Sequence, residues 1–166
     1  MALFPKLSKF LEKSRYKPVS HRVVYTAIDK AATLRVKPGS VVKALAIKGD
    51  RELFLAVLAA NRDFNKTFFK KAINAWRKKQ GLKAIKSVDF LKEAIMKKKF
   101  KEVKVGAMPP FGPLWNLTTV ADKNLFKVKK LIVGSGKYDE SLEMSSVELK
   151  KLLPEVVIAE ISKAKK

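Results

Sequence analysis

The residues able to do chemistry in this 166-residue chain are few, and their types narrow the reactions open to it. There is no cysteine and a single histidine, His21. Disulfides, a cysteine nucleophile, thiolate zinc sites and any cluster of histidine ligands are therefore excluded, and a Ser-His-Asp site would have to use His21 itself. His21 is either a structural histidine or a catalytic one. Lys43 interrupts the apolar run "SVVKALAIKG". Lysine is rarely buried without a partner, so Lys43 either lies on a solvated sheet face or points into a pocket and holds an anion. Asp122 follows an apolar strand, where a turn or N-cap role is the ordinary one. Gly134, Ser135 and Gly136 end another strand, either as a tight turn or as backbone N–H groups offered to an anion or a developing oxyanion. No glycine-rich phosphate loop, dinucleotide fingerprint or metal-ligand cluster accompanies them.

The most unusual stretch is "VGAMPPFGPLW", residues 105–115. Pro109 and Pro110 cannot sit inside a helix or a central strand, because each lacks an N–H and has a fixed φ. Gly106 and Gly112 bracket them and permit unusual backbone angles or close approach. Ala107, Met108, Phe111, Leu114 and Trp115 make the segment apolar. A rigid, apolar, non-helical loop is expected to serve more than a surface turn.

The charge balance points to a partner class. Thirty-seven basic residues oppose fifteen acidic ones, a net of +22, and such an excess attracts polyanions over long range. Nucleic acid is the leading candidate; an anionic membrane surface or adaptation to high intracellular potassium are the alternatives. Residues 66–104 hold fourteen Lys/Arg against Asp89, Glu93 and Glu102, half of the whole excess. Lys66, Lys70, Lys71, Arg77, Lys78 and Lys79 lie largely on the polar side of a predicted helix and offer a phosphate-tracking surface, or else a solvated face. No helix-turn-helix, zinc-finger or RNP-type pattern is present, so the charge supplies affinity without sequence preference.

These residues need elements to position them. The length suits one domain with a real core. Leu3, Phe4, Leu7, Phe10 and Leu11 follow helical spacing, and lysines break every apolar run at the start, so a packing helix is expected rather than a secretory signal. No apolar run is long enough to span a membrane, and a cytoplasmic protein is the default expectation. "YKPVSH" reads as extended. Thr26 and Asp29 open a short helix at capping-box-like spacing. "SVVKALAIKGD" and "ELFLAVLAA" predict a β-hairpin in a buried sheet. Phe68, Phe69, Ala72, Ile73 and Trp76 form the apolar face of a helix from Asn65, ended by Gly81. A second amphipathic helix is expected after Ser87, then a short strand at "KEVKVGA" leading into the proline loop. "LTTVAD" and "KKLIVGSG" read as strands, and "SLEMSSVELKKLL" as a strand running into a helix capped by Ser145 and Glu148. "EVVIAEI" reads as a last strand before a frayed lysine tail. The fold class is α+β or mixed α/β in a single domain.

In this order the motifs resemble the YbaK/aminoacyl-tRNA editing domain family, seen also as the insertion domain of bacterial prolyl-tRNA synthetases. The resemblance rests on "HRVVYTAIDKAA", "VVKALAIKGD", "LFLAVLAANRDFN", "VGAMPPFGPLW", "VADKNLF" and "IVGSGKYDESLEMSSVEL". It implies an editing domain at residues 20–153, preceded by a basic helix and linker at 1–19 and followed by a strand and basic tail at 154–166. It also implies a mixed, barrel-like β-sheet flanked by helices. The family's strand lysine falls on Lys43, which would bind the 3′ end of the tRNA. The family's Gly-x-x-x-Pro loop falls on Gly106, Ala107, Met108, Pro109 and Pro110, as a wall of the aminoacyl pocket, with Gly134–Gly136 as a second wall. Some members carry a histidine in the glycine turn, where this chain has Lys137.

The activity implied is trans-editing: hydrolysis of the ester of a mischarged tRNA, with tRNA(Pro) one candidate, by substrate-assisted chemistry without metal or other cofactor. The ester is already activated, so a placed water, backbone donors and a ribose hydroxyl suffice. Editing answers a limit of selection, since a synthetase pocket gains only about 1–3 kcal/mol per methylene when rejecting near-matches. Two rival readings stand beside it. One is a non-catalytic RNA-binding module on the same fold. The other is a synthetase-associated domain with Phe68, Trp76 or Trp115 as docking residues.

Overall fold

The two apolar runs at 41–60 pair as expected and form the spine of the fold. The computed structural model describes residues 3–165; Met1, Ala2 and Lys166, the outer ends of the leading segment and of the lysine tail, lie outside the described residues. In chain order the elements are α1 (Pro5–Phe10), β1 (Lys17–Ser20), α2 (Ala27–Leu34), β2 (Val42–Gly49), β3 (Glu52–Ala59), β4 (Arg62–Phe64) and α3 (Lys66–Lys79). There follow β5 (Val88–Phe90), α4 (Glu93–Lys99), β6 (Thr118–Asp122), β7 (Lys130–Gly134), β8 (Glu140–Ser145), α5 (Ser146–Leu152), β9 (Val157–Ala159) and β10 (Ser162–Ala164).

β2 and β3 run antiparallel in register from Val42 opposite Ala59 to Gly49 opposite Glu52. Asp50 makes the turn at φ 54°, a left-handed conformation that aspartate tolerates better than most residues. Its carboxylate accepts the N–H groups of Lys86 and Ser87, both at 3.0 Å, which holds β5 against the free edge of β2. The resulting sheet has the order β5-β2-β3-β6-β9, with β3–β6 and β6–β9 parallel. Beside it stand a three-stranded antiparallel sheet, β1-β8-β7, and a β10-β4 pair.

This is a mixed α/β single domain, but the sheets do not close into a barrel. Among the described residues β5 and β9 remain edges of the larger sheet, and one isolated bridge, Val41 to Ile132, joins it to β7. Barrel closure needs hydrogen-bonded pairing around the whole circumference, so the barrel-like expectation is corrected.

The large sheet is buried on both faces, which explains why β3 reads as an unbroken apolar run rather than an alternation. On one side Val42, Ala46, Leu55, Val57 and Ala121 pack with Leu131, Leu142 and residues of the proline loop. On the other, Ile47, Phe54, Ala56 and Val120 pack under Phe69 and Ile73 of α3. Asn65 caps α3 by accepting the Phe68 N–H at 2.8 Å, and Ser145 caps α5 by accepting the Glu148 N–H at 2.9 Å.

Three local expectations change. Val88–Phe90 is an edge strand, and the helix after Ser87 begins only at Glu93; pairing with β2 overrides the helical spacing of Phe90 and Leu91. "KEVKVGA" is turn and loop rather than strand. The tail is not frayed through its described length: Ser162–Ala164 pairs antiparallel with β4. The flanking segments also belong to the core. Leu7 and Leu11 around α1 are fully buried, and the Phe10 ring lies 5.2 Å from that of Phe111. Among the described residues no helix is long and apolar enough to cross a membrane.

Candidate active site

The proline loop and the glycine turn, far apart in sequence, form one backbone unit. Gly106 is exposed and has φ +90°, and a β-carbon there would lie 2.5 Å from the carbonyl oxygen of Tyr25. At Gly134 a β-carbon would lie 2.6 Å from the Met108 carbonyl oxygen and 2.7 Å from that of Ala107. The Gly136 N–H donates to the Ala107 carbonyl at 2.7 Å, and the Lys104 N–H donates to the Gly136 carbonyl at 2.9 Å. Ser135 turns its hydroxyl inward to the Glu140 carbonyl at 2.6 Å. Only glycine allows main chains to approach this closely, and this close approach accounts for Gly106 and Gly134.

The loop's side chains face the core. Ala107, Met108, Pro109, Pro110 and Phe111 are buried, and Met108 and Phe111 belong to the main apolar cluster. Gly112 closes the loop, its N–H donating to Thr119 Oγ1 at 3.0 Å. What the loop presents outward is therefore main chain at Gly106, held by packing on the inner side. Phe4, just before α1, lies 3.2 Å from where a β-carbon of Gly136 would stand, so the leading segment covers the same unit.

Lys43 is half-buried in β2. Val42, Ala44 and Ala46 side with the cluster that contains Met108, while Leu45 and Ile47 side with α3. Strand alternation puts Lys43 with the latter pair, on the face opposite the loop's buried side chains. Burial, and after it repulsion from Lys165, push its pKa below the usual lysine value, while Asp63 pulls the other way.

The secondary candidates have structural partners. His21 Nδ1 lies 2.8 Å from the Arg22 carbonyl and Nε2 lies 2.9 Å from Ser141 Oγ. A carbonyl only accepts, so Nδ1 carries the hydrogen, and in the neutral ring Nε2 accepts from the serine hydroxyl. The Thr26 hydroxyl caps α2 by accepting the Asp29 N–H at 3.1 Å. Asp122 is fully buried. It accepts from the Ile161 N–H at 3.1 Å, the Ser162 hydroxyl at 2.7 Å and the Asn124 amide at 3.1 Å, and pairs with Arg62 at 3.5 Å. It clamps β10 and β4 to β6 rather than serving as a surface N-cap.

The predicted basic row on α3 divides. Lys70, Lys71, Lys78 and Lys79 are exposed. Lys66 pairs with Asp89 at 2.8 Å and lies 5.3 Å from the centre of the Phe90 ring. Arg77 is buried and bonds Glu52 and the Lys83 carbonyl; it is a structural residue, and the sequence expectation for it is corrected. Phe68, Trp76 and Trp115 are each half-buried or more exposed than the core, and Trp115 sits edge-on to the Phe100 ring at 5.0 Å.

Residues 21–152 match the aminoacyl-tRNA editing domain family. The chain belongs to that family. No curated protein matches this editing domain at a significant level. Solved structures share its fold. The hypothetical protein APE2540 is 21% identical with a TM-score of 0.77, covering 95% of this chain and 99% of its own. A protein described as a candidate trans-editing enzyme for prolyl-tRNA synthetase is 17% identical with a TM-score of 0.74, covering 98% and 100%.

Two features of this editing domain escaped the sequence reading. Lys30 is buried on the α2 face that carries Ala27, Ala31 and Leu34, and desolvation lowers its pKa to about 8. Its helical spacing from Ala27 and Leu34 was the available signal. The other is an aromatic pair beside Gly106: Tyr25 meets Tyr138 edge-on at 4.8 Å, and the Tyr138 hydroxyl donates to the Val105 carbonyl at 2.6 Å. Nothing in the spacing of these two tyrosines announces their contact.

Proposed function

We propose that this editing domain acts in trans as an aminoacyl-tRNA deacylase, hydrolysing the ester of a mischarged tRNA. The carrying observation is the locked junction of Gly106–Pro110 with Gly134–Gly136, inside the segment that matches the editing family. A main-chain wall held by backbone contacts gives small positional freedom, and placement of a reacting ester is worth many kcal/mol of barrier. The reaction joins water to the ester carbonyl carbon and expels the terminal ribose oxygen, giving free amino acid and tRNA. The N–H groups of Ala107, Gly112 and Gly136 are already bonded, so the exposed main chain at Gly106 is the part of the loop assigned to the oxyanion. A ribose hydroxyl of the substrate assists the water; no step calls on a cysteine, a second histidine or a metal.

Lys43 is assigned as an anchor for a backbone phosphate near the tRNA 3′ end, held from the sheet face opposite the loop's side chains rather than at the reacting ester. A half-buried cation repelled by Lys165 gains from an arriving phosphate more than a solvated lysine does. The exposed lysines of α3 add non-specific affinity for the acceptor stem. tRNA(Pro) is the first substrate to try, in view of the prolyl-tRNA synthetase context of one structural neighbour.

The test is deacylation of a panel of mischarged tRNAs, Ala-tRNA(Pro) and Cys-tRNA(Pro) among them, by wild type and Lys43→Ala. Hydrolysis of one or a few species, lost in a variant with unchanged melting, supports the assignment. Salt-sensitive tRNA binding without hydrolysis across the full panel replaces it with a binding module.

A further inference from the structure

A groove of about 330 Å³ opens beside Gly106, with Glu93, Lys97, Lys101, Lys104, Val105 and Tyr138 in its lining. Lys97, Lys101 and Lys104 are exposed. Glu93 is engaged with Lys97 at 3.5 Å, an exposed pair worth little, and the groove keeps a net positive charge. Its inner wall is fixed: the Lys104 N–H is bonded to the Gly136 carbonyl and the Tyr138 hydroxyl to the Val105 carbonyl. The Tyr138 ring of this lining also meets Tyr25 edge-on, and Tyr25 is 63% exposed although its own carbonyl is packed against Gly106.

An exposed aromatic ring held by a second ring, next to a short row of lysines, is the arrangement that binds single-stranded nucleic acid: bases stack and phosphates follow the charge. A duplex cannot offer a free base face to Tyr25. A peptide partner would need acidic residues spaced to three lysines and gives no use for the open ring. We infer that the single-stranded 3′ segment of an RNA runs along Lys97, Lys101 and Lys104 and stacks a base on Tyr25, delivering its terminus to the exposed main chain at Gly106. This rests on the deacylase reading for its purpose, but not for its geometry.

The experiment measures binding of a short fluorescent single-stranded RNA ending in CCA to the full chain across a salt series, with deacylation kinetics in parallel. Replacing Lys97, Lys101 and Lys104 together by Ala weakens binding by roughly tenfold to a hundredfold at low salt and lowers the log–log salt slope by about 2, three phosphates at about 0.7 each. Tyr25→Ala weakens it by roughly tenfold or more, while Tyr25→Phe, which keeps the ring, binds as wild type does. The same lysine variant raises KM with kcat kept, because the contacts are made equally in ground and transition states. Unchanged affinity and slope in the triple variant overturn the inference. So does an equal loss with this RNA when Lys70, Lys71 and Lys78 are replaced instead. If the wild type hydrolyses no mischarged tRNA yet binds the RNA with this dependence, the activity falls and the strand path stands. If it hydrolyses while the triple variant keeps its KM, the path falls and the activity stands.

Discussion

The Gly136 N–H and the Ala107 carbonyl are joined by a 2.7 Å hydrogen bond, so the turn after β7 and the loop before the double proline move as one body. That bond, the close contact of Gly134 with the same loop, and the tilted Phe10–Phe111 ring contact from α1 make the candidate site part of the core rather than an appended loop.

Glycine substitutions separate contact from conformation. Gly134→Ala drives a methyl into two carbonyl oxygens that cannot move without breaking the loop, and is expected to cost about 2–4 kcal/mol. Gly81 has φ +73°, and a methyl added there would meet nothing within 4 Å, so Gly81→Ala costs only about 1 kcal/mol of backbone strain. Denaturant melts of the two variants side by side check the ranking, and equal losses would refute the locked junction.

Asp122→Ala leaves Arg62, Ser162 and the Ile161 N–H without their shared acceptor in a dry site. The expected loss is about 3 kcal/mol. Because the clamp holds β10, amide exchange at residues 162–164 is expected to accelerate more than exchange in β3, which mass spectrometry of deuterated peptides reads directly.

Lys30 predicts a pH dependence. Its native pKa of about 8 lies below the ordinary lysine value of 10.5, so between those values the unfolded chain holds the extra proton and native stability rises with pH. Below pH 8 both states are protonated and the burial penalty is present in full. Lys30→Met is therefore expected to stabilise the protein by on the order of 2–3 kcal/mol near pH 7, with the advantage shrinking as pH climbs from 8 to above 10. Melting of both proteins from pH 6 to pH 10 gives the difference; a constant difference across that range counts against the assignment.

Arg77 and its helical neighbours are expected to part company. Arg77→Ala removes a buried guanidinium bonded to Glu52 and to the Lys83 carbonyl, with a loss of about 1–3 kcal/mol and no change in the salt slope of tRNA binding. Lys70→Ala with Lys71→Ala leaves melting unchanged and lowers that slope by about 2. Thermal melts and a salt titration of tRNA affinity together test the division.

Much of the architecture was legible in local pattern. The two apolar runs around the Lys48–Arg51 turn marked β2 and β3, while the change to helical period at Asn65 and the Ser145–Glu148 capping box marked the starts of α3 and α5, because these elements depend on neighbours close in sequence. The motif order from Ser20 to Leu153 marked the family, since that information is carried by residue identity. Where pattern failed, a partner distant in sequence decided. Val88–Phe90 became a strand because β2 had a free edge, and the tail became β10 because Asp122 holds Ser162 and the Ile161 N–H.

The sequence by itself determined which groups exist: no cysteine, one histidine, a surplus of lysine, and a glycine-bracketed double proline that cannot be helix. Tertiary structure alone decided which of them meet. It turned Met108 and Arg77 inward, set Lys43 on the face opposite the loop's side chains, and gave Lys30 a buried place where desolvation dominates. It also brought Tyr25, Tyr138 and three lysines to the edge of Gly106. The reason is that periodicity fixes which side of an element a residue occupies, while burial and electrostatic company are set by whatever the packed chain brings against that side.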